Sequence, residues 1–201
     1  MKTSNWLNHL EHDCESPIWS PFLQRLAASF QLVRYDGRGN GLSDRDVADI
    51  SQAGFERDLE AVVESAGLER FALLALSQGV AAAVAFAARH PERVTRLILY
   101  GAYAQGRNRR GSPADAATAQ TMLAMMQQGW GQTDSAFMRA FSSLYLSDAS
   151  RVHIKSFADM QRLSTSGEIA ARLRVACDDI DVMDMLPDIK VPTLVIHSRH
   201  D

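Results

Sequence analysis

Short apolar runs separated by helical patterns organise the chain. Starting near Phe30, the β-prone segment FQLVR runs into Tyr35 to Gly41, where three glycines in five residues demand a turn. From Ser51 to about Ala66, Phe55, Leu59, Val62 and Val63 recur at helical spacing, and Gly67 supplies a stop. FALLAL at residues 71–76 predicts a buried strand that passes through Ser77-Gln78-Gly79 into an alanine-rich helix ending at His90-Pro91. Val94 to Tyr100 and the TLVIHS run opened by Pro192 read as two further buried strands. Strands alternating with helices predict an α/β fold with a mostly parallel sheet covered on both faces.

Between roughly Pro113 and Val175 the period becomes helical throughout, with three or four amphipathic stretches and no convincing strand. Met122, Leu123, Met125 and Met126 mark one of them, and Phe137, Phe141, Leu144 and Tyr145 another. This block is expected to be a helical insertion above the sheet. Its methionines either line an apolar pocket or fill gaps between helices. Gly106 to Ser112, with Arg107, Arg109 and Arg110, reads as an entrance loop whose arginines either meet an anionic ligand or decorate an exposed turn.

Composition narrows the field. The 201 residues are 46% hydrophobic, enough for one core and too few for two comfortable domains. Lys plus Arg total 21 against 24 Asp plus Glu, and a net charge of −3 leaves no broad basic field for nucleic acid or an anionic membrane. No apolar run reaches the roughly 18 residues of a membrane span, and the first residues lack a signal-peptide core, so a cytoplasmic location is expected. Cys14 and Cys177 read as thiols of a reducing compartment, with one long-range disulfide as the alternative. The GRGNG run lacks both a GxGxxG fingerprint and a phosphate-loop lysine.

The sharpest chemical signal is Ala75-Leu76-Ser77-Gln78-Gly79, between a strand run and a helix run. A serine on such a turn exposes its Oγ at the end of the sheet, and small neighbours let strand and helix approach. The amide of Gln78, at the helix N-terminus, would face the oxyanion formed when Ser77 attacks a carbonyl. The competing reading is a plain N-cap. A hydroxyl nucleophile also needs a base and an orienting acid. Asp201, just past the last strand, suits the acid, with an ordinary loop aspartate as the alternative. Of the six histidines, His9, His12, His90, His153 and His197 are not comfortable bases, and His200 is too close to Asp201 to span from it to Ser77.

The segments FQLVRYDGRGNGLSD (30–44), FALLALSQG (71–79), RHPERVTRLILYG (89–101) and VPTLVIHSRHD (191–201), with Trp130 and LSTSGE (163–168), together resemble the α/β-hydrolase superfamily. More narrowly, they resemble hydrolase-like modules found alone or joined to bacterial adenylate/guanylate cyclase and LuxR-type regulators. The resemblance implies an α/β-hydrolase fold with a helical cap at 107–175. It assigns Ser77 as nucleophile, Asp201 as triad acid, and the backbone amides of Gln78 and Trp6 as oxyanion donors. Ser4-Asn5-Trp6 stands where the family has a His-Gly turn, and Ala75 where the elbow commonly has glycine. Asp36, Arg38 and Asp44 are read as parts of a structured loop.

The resemblance also places early strands before Met1, and a final helix, strand and catalytic histidine after Asp201. The expectation is therefore a single partial domain over 1–201, truncated at both ends, with no catalytic histidine found in the chain. The activity implied is serine hydrolysis of a small ester or lactone, with no metal or organic cofactor. The alternatives are a noncatalytic ligand-sensing module and a carbon–carbon hydrolase or perhydrolase. The partners implied are a small-molecule acyl substrate or ligand, and either a second copy covering exposed strand edges or a regulatory domain in a longer parent.

Overall fold

The computed structural model describes residues 1–111, 113–132, 135–146 and 148–199. In chain order the elements are α1 (Leu10–Glu15), α2 (Ser20–Ser29), α3 (Gln52–Ser65), β1 (Phe71–Leu76), α4 (Gly79–Arg89) and β2 (Val94–Tyr100). Five helices follow: α5 (Arg107–Arg110), α6 (Pro113–Gly129), α7 (Ala136–Ser143), α8 (Arg151–Ser164) and α9 (Gly167–Asp178). A 3-10 helix (Met183–Asp188) then leads into β3 (Thr193–Ile196).

The three strands are parallel in the order β1-β2-β3, with Leu76 opposite Tyr100 and Tyr100 opposite Ile196. Beside β1, Met1 to Thr3 extend the sheet: Leu74 N–H donates to Met1 O and Thr3 N–H to Leu74 O, each at 2.9 Å. Lys2 therefore sits inside the sheet, bridged to Leu74. The strand expected at FQLVR does not form as such. Among the described residues its backbone receives one inter-segment bond, from Lys2 N–H to Val33 O at 2.9 Å, and one bond does not make a ladder.

Helix ends follow local chemistry. The Ser51 hydroxyl accepts from Gly54 N–H at 3.1 Å and starts α3, while Gly67 at φ +61° lies just beyond its end. Phe55, Leu59 and Val63 of α3 join Val80, Ala83, Val84 and Phe86 of α4 in the core with Leu73 and Leu97 of the sheet. The buried strand expected after Pro192 forms, but its side chains are exposed, Leu194 by 55% and Val195 by 59%. Among the described residues β3 is the outer strand and hydrogen-bonds to β2 along one edge only.

The α8–α9 turn carries the LSTSGE stretch and bolts the helical block to two loops. Ser164 Oγ donates to Asn8 O (3.1 Å), Gly41 N–H to Ser164 O (2.8 Å) and Thr165 Oγ to Gly39 O (2.7 Å). The Trp130 indole donates to Thr165 O at 3.1 Å, fixing the end of α6 to the same turn. Met126, Met138 and Met160 are buried within this packing. Both cysteines are free thiols, and burial pushes Cys177 up to about 12.

Candidate active site

Ser77 follows β1 and precedes α4 at φ +49°, the one non-glycine residue among those described with a positive φ. The left-handed region costs an L-residue with a Cβ on the order of 1 kcal/mol or more, so the surrounding contacts must hold the turn. They do so from both sides. Ser77 N–H donates to Tyr100 O at the end of β2 (2.9 Å), and Ser77 O accepts from Val80 N–H in the first turn of α4 (3.0 Å). Ala75 is fully buried, and Gly79 faces the Ser4 carbonyl and Thr3 hydroxyl so closely that a Cβ would overlap both.

That close approach joins the serine turn to the exit of the Met1–Thr3 segment. Ser4, Asn5, Trp6, Gln78 and Gly79 share the lining of a cavity of about 10 Å³, room for roughly one water. Among the described residues, the backbone N–H groups of Gln78 and Trp6 have no hydrogen-bond acceptor. Ser77 is exposed beside this cavity rather than lining it, and its Oγ has no partner among the described residues. Gln78 Oε1 is buried without a partner.

The Ser4-Asn5-Trp6 turn needs no left-handed residue, since Asn5 does not take a positive φ. Side chains hold it instead. Ser4 Oγ donates to Asn8 Oδ1 (2.7 Å), Asn5 Nδ2 to Leu7 O (3.3 Å), and Lys2 Nζ to Asn5 Oδ1 (2.7 Å). The buried Trp6 ring donates from Nε1 to Gln161 Oε1 of α8 (3.2 Å), and Gln161 Nε2 donates to Ser142 Oγ of α7 (3.0 Å).

The glycine-rich loop is structural. Asp36 bonds Asn8 and accepts from Leu42 N–H (2.9 Å) and Leu10 N–H (3.2 Å). Burial raises its carboxyl above the usual range, with those two amides opposing the shift. Arg38 pairs with Asp58 at 2.9 Å, and Gly39 N–H donates to Asp44 O at 2.9 Å. Of the three arginines read as an entrance loop, Arg109 donates to Asp179 O (3.4 Å) and Arg110 stacks over Tyr103 (5.9 Å).

The structure makes no triad contact to Ser77 among the described residues. Asp201 and His200 lie outside the described residues. His9 caps α1, and His12 contacts Ser156 O at 3.3 Å. His90 packs on Phe86, His153 pairs with Ser150, and His197 follows β3. Among the described residues, no group of three or more His, Cys, Asp or Glu could hold a metal ion, and no helix is long and apolar enough to cross a membrane.

Two buried polar residues of this region escaped sequence reasoning. Gln161 left a signal: it shares a face of α8 with buried Phe157, Met160 and Ser164, an amide on an otherwise core-facing stripe. Lys2 left none, because two neighbours of pairing are too few to show a strand period.

A parallel sheet whose β1 runs through a strained serine turn into α4, flanked by helices, defines an α/β hydrolase architecture. The chain belongs to the alpha/beta hydrolase fold family, whose model matches residues 12–201. It is 28% identical over 194 residues to pyrrolizixenacetamide deacetylase of Xenorhabdus hominickii, covering 91% of this chain and 68% of that protein. Among solved structures, the enol-lactonase from Burkholderia xenovorans LB400 superposes with a TM-score of 0.73 at 24% identity, over 98% of this chain and 70% of the other. The esterase from Exiguobacterium antarcticum gives 0.76 at 20% identity, over 96% and 70%. These two structural likenesses concern the fold.

Proposed function

We propose that this chain carries the nucleophile and the oxyanion-binding half of a serine hydrolase site for a small ester or lactone, with α5 to α9 as a cap. The observation that carries the reading is Ser77 at φ +49° between β1 and α4, a strained conformation that leaves its side chain exposed. Ser77 Oγ attacks the substrate carbonyl, and the N–H groups of Gln78 and Trp6 receive the oxyanion. Collapse expels the alcohol, which takes up the proton that Ser77 Oγ has lost, and leaves an acyl-serine. Water then releases the acid and restores Ser77; a lactone gives the corresponding hydroxy acid. Asp201 is the proposed acid that orients the base. The proton acceptor itself is not supplied by any described histidine.

The name of the similar deacetylase supports attack on an acyl carbon. The uncommitted Ser77 hydroxyl favours one second reading, a ligand-sensing module that binds such compounds without turning them over, of the kind joined to cyclase or LuxR-type regulators. A panel of p-nitrophenyl esters and small lactones separates the two. Hydrolysis above the buffer rate that disappears in Ser77→Ala supports the enzyme. Saturable binding with turnover equal in both proteins supports the sensor.

A further inference from the structure

Lys2 is a buried ammonium with 6% exposure, and no carboxylate forms an ion pair with it among the described residues. An apolar residue would fill a position inside the sheet at no desolvation cost, whereas a buried charge needs compensation. Its Nζ donates to Asn5 Oδ1 at 2.7 Å and to Thr3 O at 3.1 Å, and lies 5.7 Å from the centroid of the Trp19 ring. The charged groups facing it are Asp13 of α1 and Arg34 and Asp36 of the segment after α2. Asp13 is itself drawn toward Arg34, at 3.7 Å.

The bond to Asn5 gives this charge a purpose. Asn5 precedes Trp6, and its amide is held at both ends, Oδ1 by Lys2 and Nδ2 by Leu7 O. Without a positive φ at Asn5, nothing in the local backbone preference selects this turn. A charge-assisted hydrogen bond is short and directional, and supplies the missing selection. We propose that Lys2 is a positioning residue that holds the Ser4–Trp6 turn, through Asn5, in the conformation that leaves the Trp6 N–H free to bind an anionic oxygen. For its catalytic consequence this rests on the serine hydrolase reading; the positioning itself does not.

The test uses the 201-residue chain labelled with nitrogen-15. Desolvation by burial pushes Lys2 down to about 8, against the pull of Asp13 and Asp36. The Trp6 backbone amide and the Asn5 side-chain amide are expected to shift with a midpoint near that value. The transition should vanish in Lys2→Met and in Lys2→Arg, with Lys2→Arg staying near the low-pH wild-type position. The Met1 ammonium, bonded to Ala72 O, is present in all three proteins and serves as the internal control. In parallel, the rate of Ser77 phosphonylation by a fluorophosphonate at pH 7 should fall about tenfold in Lys2→Met, the loss of one well-made hydrogen bond, and be rescued to within about threefold in Lys2→Arg.

A purely structural lysine would lower stability in Lys2→Met without a pH-linked movement at Trp6. If the Trp6 amide ignores both pH and Lys2→Met, the proposal is overturned whatever the labelling shows. If Trp6 titrates through Lys2 while no protein labels at Ser77, the positioning stands and the hydrolase reading falls. Should Lys2→Met fail to fold, the wild-type titration and its loss in Lys2→Arg decide alone.

Discussion

Replacing Gln161 with leucine tests whether α7 and α8 are fastened to the proposed oxyanion turn by hydrogen bonds or merely by packing. Gln161 is fully buried, and leucine has nearly its volume, so the change deletes two bonds with little cavity. The Trp6 indole N–H and the Ser142 hydroxyl are then stranded away from water, at about 1–3 kcal/mol each. Burying leucine in place of an amide returns about 1–2 kcal/mol, which leaves a net loss of about 2–3 kcal/mol at the middle of both ranges. For a chain of this size that lowers Tm by roughly 4–12 °C. Urea unfolding followed by circular dichroism, with the slope held constant, measures the loss directly. In a Trp6→Phe background the indole donor is already gone, and the same substitution should cost about 1–2 kcal/mol less. A Gln161→Leu protein within about 0.5 kcal/mol of wild type, or an equal penalty in both backgrounds, would refute the reasoning.

Gly79→Ala should destabilise by about 3 kcal/mol or more despite alanine's better helix propensity, because its methyl meets a backbone carbonyl that cannot rotate away. Gly67→Ala, where a Cβ meets open space at φ +61°, should cost only about 1 kcal/mol, and equal urea midpoints for the two would contradict the close approach at Ser4. Ser77→Gly should raise the unfolding free energy by about 1 kcal/mol through relief of the left-handed strain, and a clear loss of stability would deny that strain. For pH, burial raises Asp13 from 3.8 to about 6 and lowers Lys2 from 10.5 to about 8. Between about 4 and 6 the folded protein holds more protons at Asp13 than the unfolded chain, so stability falls as pH rises; between about 8 and 10.5 it holds fewer at Lys2, so stability climbs. Asp13→Asn should flatten the first slope and Lys2→Met the second, and unchanged slopes in chemical denaturation would contradict the assigned burial.

The fold was legible wherever one face of an element is apolar over a full period. Residues 71–76 and 94–100 and the α3 stripe are such places, and the serine turn between Ala75 and Gly79 was legible from its small neighbours. Two readings went astray where pairing, not pattern, decides the outcome. FQLVR has strand composition but a single ladder bond, and TLVIHS is apolar yet lies on the outer strand, exposed. Ser77 and Gln78 stood out because a strand-turn-helix with small flanking residues has few other uses, whereas Trp6 was pointed to only by the family resemblance. The fastening of the turn was hidden, since Lys2 and Gln161 reach it from outside its three residues and a lone lysine or glutamine reads as surface. Asp201, also singled out from the sequence, lies outside the described residues.

The central claim is that Ser77 is an exposed, strained nucleophile beside two free amide donors. Incubating the protein with a fluorophosphonate and reading intact mass tests it without requiring a complete turnover cycle. The account predicts one phosphonyl adduct that maps to Ser77 and is absent from Ser77→Ala. No adduct, or an equal adduct in Ser77→Ala, would contradict it.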